Sequence, residues 1–83
     1  MIEILFFARL RETLGTGRLE ISLDGAGETV ESLVGRLRAR GDVWDEALGA
    51  ENVLCAVNQV QAGPGTAIAD GDEVAFFPPV TGG

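Results

Sequence analysis

The chain lacks histidine and contains one cysteine, Cys55, among its 83 residues. Without histidine it has neither the commonest general base nor the commonest transition-metal ligand. A single cysteine excludes an internal disulfide framework and a metal site built on several cysteines. The sequence also contains no Ser-His or Cys-His pair, Walker loop or dinucleotide fingerprint. We therefore expect a protein that is not catalytic alone and binds no metal or cofactor of its own.

Long apolar segments and an excess of basic charge are also missing. No apolar run approaches the roughly 18 residues that span a bilayer, and the first such stretch, Ile4 to Ala8, is too short for a signal peptide. Thirteen acidic residues against six basic ones give a net charge of −7, which disfavours binding to nucleic-acid phosphates. These features predict a cytoplasmic protein without nucleic-acid or membrane partners. A basic protein surface is the complement that we expect.

What is present predicts one small α+β domain over residues 1–83. Hydrophobic residues make up 46% of the chain, as in ordinary globular domains. Strand-like patterns occupy four segments: Ile2–Ala8, Arg18–Leu23, Val53–Val60 and Glu73–Phe77. Helical patterns occupy three others: a turn or loop at Arg9–Leu14, a main helix at Val30–Arg40 and a short turn at Val43–Leu48. This order predicts one sheet packed on one main helix, with turns at Asp24–Gly27 and Asp70-Gly71 and a loop over Gln61–Ala69.

The main helix carries the clearest local signals. Thr29 is a plausible N-cap, and Gly41 has the residue type favoured just after a helix end. The apolar residues recur with helical spacing at Val30, Leu33, Val34 and Leu37. Gly35 lies inside the helix at a cost of about 1 kcal/mol relative to alanine, which suggests a site of close packing.

Alternation along the first and last strands predicts two apolar faces. We assign Ile2, Ile4, Phe6, Val74 and Phe76 to the core, beside the apolar stripe of the main helix. The opposite parity places Leu5, Phe7, Ala75 and Phe77 on an open apolar patch, of the kind that marks protein interfaces. The alternative is that the short helix around Trp44, or a loop, covers this patch.

The sequence ends in Thr81-Gly82-Gly83, directly after a strand and the pair Pro78-Pro79. Glycines without a Cβ can pass through a narrow slot, and two prolines hold a segment extended. Val80 to Gly83 can reach roughly 13 Å, at the usual rise of an extended chain. Because no other reactive constellation is present, this tail, residues 78–83, is the candidate functional element.

Three segments together resemble the small subunit of molybdopterin synthase. They are Leu5-Phe-Phe-Ala-Arg-Leu-Arg-Glu12, Ala56-Val-Asn-Gln59 and Asp70-Gly-Asp-Glu-Val-Ala-Phe-Phe-Pro-Pro-Val-Thr-Gly-Gly83. The resemblance implies a ubiquitin-like β-grasp fold and a sulfur carrier. It further implies that the carboxylate of Gly83 is adenylated with ATP by an E1-like enzyme and converted to a thiocarboxylate. That group would donate sulfur to cyclic pyranopterin monophosphate, forming the dithiolene of molybdopterin.

The resemblance also implies the site residues and partners. Gly83 carries the reacting carboxyl group, next to Gly82. Phe7, Arg11 and Phe77 match positions that face the partner, and the tail residues Pro78, Pro79, Val80 and Thr81 accompany them. The large synthase subunit, in a heterotetramer, and the E1-like enzyme are the partners. Alternatives are a sister carrier for thiamine, cysteine or tRNA thiolation, and a ubiquitin-like modifier joined to lysines.

Three other features have simpler interpretations than a functional one. Cys55 could relay a persulfide, but a small buried hydrophobe is the favoured interpretation. The acidic residues Asp70, Asp72 and Glu73 fit a turn and a solvated strand entry better than a metal site. Three arginines, Arg36, Arg38 and Arg40, lie near the carboxyl end of the main helix. Their interaction with the negative end of the helix dipole is a simpler interpretation than an anion-binding site.

Overall fold

The computed structural model describes residues 1–23, 27–49 and 53–78. These residues form five strands and three helices, in the order β1 (Ile2–Phe6), α1 (Ala8–Leu14), β2 (Arg18–Ile21), α2 (Val30–Arg38), α3 (Asp42–Gly49), β3 (Leu54–Val57), β4 (Val60–Ala62) and β5 (Glu73–Phe77). Part of the predicted turn at Asp24–Gly27, namely residues 24–26, lies outside the described residues.

The strands form one mixed sheet in the order β2-β1-β5-β3-β4. Strands β1 and β5 are parallel, with Ile4 opposite Val74 and Phe6 opposite Phe76. The other neighbouring pairs are antiparallel. The main helix α2 contributes buried Leu33 to the core beneath this sheet. The predicted α+β class and β-grasp arrangement are therefore confirmed.

The core lies on one face of the sheet. The predicted core residues of β1 and β5 are buried, with Ile4 and Val74 fully inaccessible and Phe6 and Phe76 each 1% exposed. The rings of Phe6 and Phe76 stack with centroids 5.9 Å apart. Burial of each such side chain stabilises the fold by about 2 to 3 kcal/mol. The prediction is confirmed except at Val34, which is only partly buried against the core.

Helix α2 begins as predicted but ends earlier. The backbone N–H of Ser32 donates to the hydroxyl of Thr29 (3.2 Å), and the N–H of Thr29 donates to the hydroxyl of Ser32 (2.8 Å), which forms a capping box. The predicted role of Gly41 at the end of α2 is wrong, because Ala39 is the C-cap. Gly41, at φ +154°, instead accepts a hydrogen bond from the N–H of Asp45 and so begins α3.

Two strands end earlier than the sequence predicts. Strand β1 ends at Phe6 because Phe7 is the N-cap of α1, so the predicted helical turn after it is confirmed. A single strand from Val53 to Val60 is wrong. Asn58 and Gln59 both have positive φ, 51° and 69°, and form a two-residue hairpin turn between β3 and β4.

Three smaller corrections follow from the structure. Strand β4 occupies the start of the predicted Gln61–Ala69 loop, and β2 stops at Ile21 rather than Leu23. The suggestion of close packing at Gly35 is also wrong. A Cβ built on Gly35 would meet no atom within 4 Å, so the space beside this glycine is open.

Candidate docking face and carboxyl-terminal tail

The second face of the sheet carries the apolar patch, defined as Leu5, Phe7, Ala75 and Phe77. Leu5 lies directly opposite Ala75 in the parallel pairing of β1 and β5, so the two side chains share a face. Leu5, Ala75 and Phe77 are partly buried, whereas Phe7 is 48% exposed. The predicted parity of the two strands is confirmed.

The helices pack on the core face. Each helix buries a leucine in the same hydrophobic cluster: Leu10 of α1, Leu33 of α2 and Leu48 of α3. Trp44 of α3 meets the ring of Phe6 edge-on, with centroids 5.6 Å apart and an angle of 74°. The alternative in which the helix around Trp44 covers the apolar patch is therefore wrong, since Phe6 points to the opposite face.

Phe7 and Phe77 occupy the same end of the sheet. The N–H of Phe7 donates to the carbonyl of Phe76 at 3.1 Å, which continues the β1–β5 register by one step and sets Phe7 beside Phe77. Phe7 keeps extended dihedrals (φ −119°, ψ 156°), and its carbonyl accepts from the N–H of Leu10 at the start of α1. The aromatic pair is thus held by backbone contacts at the edge from which the tail departs.

Arg11 lies at this same end, on the last turn of α1. A Cβ on Gly17 would lie 3.0 Å from Nε of Arg11, so the absence of a side chain at Gly17 leaves room for the arginine. The carbonyl of Gly17 accepts from the N–H of Phe6, which ties this corner to the end of β1. Arg11 is exposed and adds a positive charge at this end of the sheet.

Sequence reasoning missed two members of the apolar surface. Leu54 pairs with Phe77 and Ala56 pairs with Ala75, so β3 extends the patch by one strand. Both residues are partly buried. The alternation along β3 contains this information, but the pairing of β3 with β5 is a long-range fact that a short apolar run does not specify.

A charged cluster lies next to the patch on β2 and the start of β1. Nη2 of Arg18 lies 2.7 Å from Oε2 of Glu3 and 3.0 Å from Oε1 of Glu20. These groups are largely exposed, so their contribution to stability is small. They border the apolar surface with charge, as the polar rim of an interface does.

The tail begins at Pro78, which follows β5 directly and is partly buried. Five predicted site residues lie outside the described residues: Pro79, Val80, Thr81, Gly82 and Gly83. The structure therefore sets Phe7 beside Phe77 at the end of β5 and places Arg11 at the same end of the sheet, beside Gly17. The assignments within the rest of the tail remain predictions.

Asn58, from the sequence segment that resembles the synthase subunit, has a structural role. Its Nδ2 donates to Oδ1 of Asp72 at 3.0 Å, and its Oδ1 accepts from the N–H of Glu73, also at 3.0 Å. The N–H of Ala69 donates to Oδ2 of Asp72. The hydrogen bond from Ala69, followed by that from Asn58, lowers the pKa of Asp72 below its usual value. The network fixes the start of β5 and thereby the register of its two faces.

The remaining polar clusters also have structural partners. Asp70 pairs with the amino group of Met1. Arg36 lies 3.5 Å from Glu28, Nε of Arg38 donates to Asp45 at 2.7 Å, and Arg40 lies 4.7 Å from the centre of the Trp44 ring. In the part of the chain that the structure describes, no group of three potential ligands could hold a metal ion.

Cys55 is buried, as predicted, and burial raises the pKa of its thiol to about 11. It lies beside a groove of about 460 Å³ on the helix side, where Glu31 and Arg38 are the charged side chains. A protonated, shielded thiol is a poor nucleophile at neutral pH. The described residues of this groove thus give no constellation for catalysis.

Comparison with known proteins assigns the chain to a family. A family model described as ThiS family matches residues 4–83. The chain belongs to the ThiS family. It is 48% identical over 83 residues to the molybdopterin synthase sulfur carrier subunit of Escherichia coli (strain K12), covering 100% of both chains. It is 37% identical over 93 residues to small archaeal modifier protein 1 of Haloferax volcanii, covering 99% of this chain and 100% of the relative.

Solved structures agree with this ThiS-family assignment. The crystal structure of SAMP1 from Haloferax volcanii matches with a TM-score of 0.79 and 31% identity, over 99% of this chain and 98% of that chain. A chain from the complex of subunits 1 and 2 of molybdopterin-converting factor from Helicobacter pylori also matches. Its TM-score is 0.70 at 24% identity, over 99% of this chain and 97% of that chain, and this likeness supports the fold. Among the described residues, no helix is long and apolar enough to cross a membrane.

Proposed function

We propose that this chain is the sulfur-carrier subunit of a molybdopterin synthase. The observation that carries the proposal is the 48% identity, over the whole length of both chains, to a protein of that name. The Gly82-Gly83 ending and the absence of histidine agree with a carrier that is not catalytic alone. The proposed setting is the cytoplasm.

The chemistry begins at the carboxylate of Gly83, which is a poor electrophile. Its oxygen attacks the α-phosphate of ATP in an E1-like enzyme, forming an acyl adenylate and releasing pyrophosphate. Sulfur at the oxidation level of hydrosulfide then adds to the carbonyl carbon, AMP leaves and a proton is lost, which yields the thiocarboxylate. The thiocarboxylate sulfur forms a C–S bond at a side-chain carbon of cyclic pyranopterin monophosphate as a C–O bond at that carbon breaks. Hydrolysis of the acyl–sulfur bond then leaves sulfur on the substrate and restores the carboxylate, and a second charged chain repeats the transfer to complete the dithiolene.

Tethering makes this delivery efficient. Sulfur attached to a protein tail acts at a high effective concentration and does not escape as free sulfide. The apolar patch, with Phe77 at the end from which the tail continues, is the proposed docking surface for the large subunit and for the activating enzyme. Arg11 supplies a charged contact beside it. The tail residues Pro79–Gly83 then enter the active site of the partner.

Reconstitution tests this function. The purified chain, an E1-like enzyme, ATP, a sulfur source, the large subunit and cyclic pyranopterin monophosphate should together yield molybdopterin. Gly82→Ala and Gly83→Ala should slow charging or transfer, because a Cβ thickens the tail and restricts its backbone. Full activity of either variant would count against tail insertion, and no product with the unaltered chain would count against the function.

A second candidate is a protein modifier, which is favoured by the 37% identity to small archaeal modifier protein 1. In that case the acyl adenylate is captured by a lysine amine of a target protein rather than by sulfur. Lysine-linked conjugates of this chain in cells, lost when Gly83 is deleted, would support that role. Their absence, together with molybdopterin formation, would favour the sulfur carrier.

A further inference from the structure

The basic side chains of this protein are all arginines. The six positions are Arg9, Arg11, Arg18, Arg36, Arg38 and Arg40, which account for the whole basic content and leave no lysine in the sequence. An arginine guanidinium stays protonated at any physiological pH, whereas a lysine amine loses its proton in a small fraction of molecules and can attack acyl groups. The chain therefore carries positive charge without a nucleophilic side-chain amine.

The amino group of Met1 is the other primary amine in this sequence, and the fold holds it at the opposite end of the β1–β5 pair from Phe77. It donates to Asp70, and the carbonyl of Met1 accepts from the N–H of Gly71 at 2.8 Å. Because β1 and β5 are parallel, Met1 lies at the beginning of both strands and Phe77 at the end of β5. Six residues separate Gly71 from Phe77, which corresponds to about 20 Å along the sheet.

The six residues from Pro78 to Gly83 span at most roughly 20 Å when fully extended. The carboxyl group of Gly83 would reach the amino group of Met1 only if this whole segment ran straight back along β5. The parallel pairing thus places Met1 and Phe77 at opposite ends of the sheet.

We propose that the chain is a one-way acyl donor, in which a lysine-free surface and a remote amino group protect its activated carboxyl terminus from capture by its own amines. The inference rests on the proposed function, because it concerns the activated form of Gly83. The reaction avoided is attack of an amine nitrogen on the acyl carbon. A C–N bond forms, the adenylate or thiol leaves, and the nitrogen loses a proton, so the carrier is permanently blocked as an amide.

Arg18 is the position at which this protection can be removed. It lies opposite Leu5, which lies opposite Ala75, so Arg18 is two strand spacings, or about 10 Å, from β5. Phe77 lies two residues further along β5, so Arg18 and Phe77 are about 12 Å apart. This separation is shorter than the roughly 20 Å that residues 78–83 can span. The side chain of Arg18 is 59% exposed, and a lysine there can still pair with Glu3 and Glu20.

The test uses the full chain carrying a thioester at Gly83, prepared by thiol cleavage of an intein fusion, at mildly alkaline pH. Three forms are compared: the unaltered chain, Arg18→Lys, and Ala69→Lys. Ala69 is exposed and lies beside Met1 and Asp70, so it adds the same amine at the far end of the sheet. Intact mass distinguishes the hydrolysed acid from an internal amide, which is lighter by one water, and peptide mapping locates the bond.

We expect Arg18→Lys to form the internal amide roughly tenfold faster than the other two forms, because a tethered amine has a raised effective concentration. The unaltered chain and Ala69→Lys should mainly hydrolyse. Self-amidation of the unaltered chain as fast as Arg18→Lys would overturn the inference, and so would Arg18→Lys that only hydrolyses. Failure of the proposed function would be seen elsewhere, as a native chain that acquires no sulfur in the reconstituted system.

Discussion

The two faces of β5 differ in what covers them. Val74 and Phe76 are inaccessible or nearly so, packed beneath the helices, whereas Ala75 and Phe77 of the same five-residue strand remain partly exposed. The apolar content of the two sets is similar, so hydrophobicity alone does not distinguish them. Alternate residues of one strand therefore supply the core on one side and an accessible apolar surface on the other.

The largest effect should follow from emptying the covered face. Phe76→Ala removes a ring that stacks on Phe6 at 5.9 Å, and should lower the free energy of unfolding by about 3 to 5 kcal/mol. Urea unfolding followed by tryptophan fluorescence measures this, because Trp44 contacts Phe6. A loss no larger than that of Phe77→Ala would contradict the assignment of the two faces.

The next effect concerns the open face. Phe77→Asp should weaken binding to the large subunit by at least about tenfold, since it places a charge within the apolar patch beside the start of the tail. Calorimetric titration measures the affinity, and urea unfolding of the free variant should change by less than about 1 kcal/mol. Equal affinities for the variant and the unaltered chain would exclude the patch as the docking surface.

A smaller effect is expected where the register of β5 is fixed. Asn58→Ala removes the hydrogen bonds to Asp72 and Glu73 and places alanine at a φ of 51°, which should cost about 1 to 2 kcal/mol. Gln61→Ala, at an exposed position of the same hairpin, is the control and should change stability little.

Acid titration sharpens the same test. The pKa of Asp72 is lowered in the folded state, so its contribution is present above the unfolded pKa and is lost as the pH falls through the folded pKa. Asn58→Ala removes one cause of that shift and should flatten the acid limb of the stability curve. An identical acid limb in the variant would contradict the role given to this network.

The smallest effect should be a gain. Gly35→Ala should raise the free energy of unfolding by about 1 kcal/mol, because the added Cβ meets nothing within 4 Å in a helix interior. Gly15→Ala is the matched comparison: its Cβ also meets nothing, but φ is +73°. It should therefore destabilise. Parallel thermal unfolding of both variants checks the pair, and a gain from Gly15→Ala would contradict the explanation by backbone conformation.

Local signals predicted much of this fold. The alternation in β1 and β5 separates core from patch, and the capping residues locate the start of α2, because both depend on neighbours in sequence. The β3–β4 hairpin escaped prediction since Asn58-Gln59 lacks the glycine that usually marks such a turn. Leu54 and Ala56 were missed because their place beside Phe77 and Ala75 depends on long-range pairing.

The site was predicted unevenly for the same reason. Phe7 and Phe77 could be placed on one face from strand parity. Arg11 came from the family resemblance, and its support by Gly17 is visible only in three dimensions. The chemistry proposed for Gly83 also came from the family resemblance, and it stays a prediction because Gly83 lies outside the described residues.

Mass spectrometry of the charged chain tests the central claim most directly. After incubation with an E1-like enzyme, ATP and a sulfur source, the intact chain should show replacement of one oxygen by sulfur, and fragmentation should place the sulfur at Gly83. Addition of the large subunit and cyclic pyranopterin monophosphate should return the chain to its original mass as molybdopterin appears. Molybdopterin formed at the full rate by a chain that never carries sulfur at Gly83 would contradict the claim.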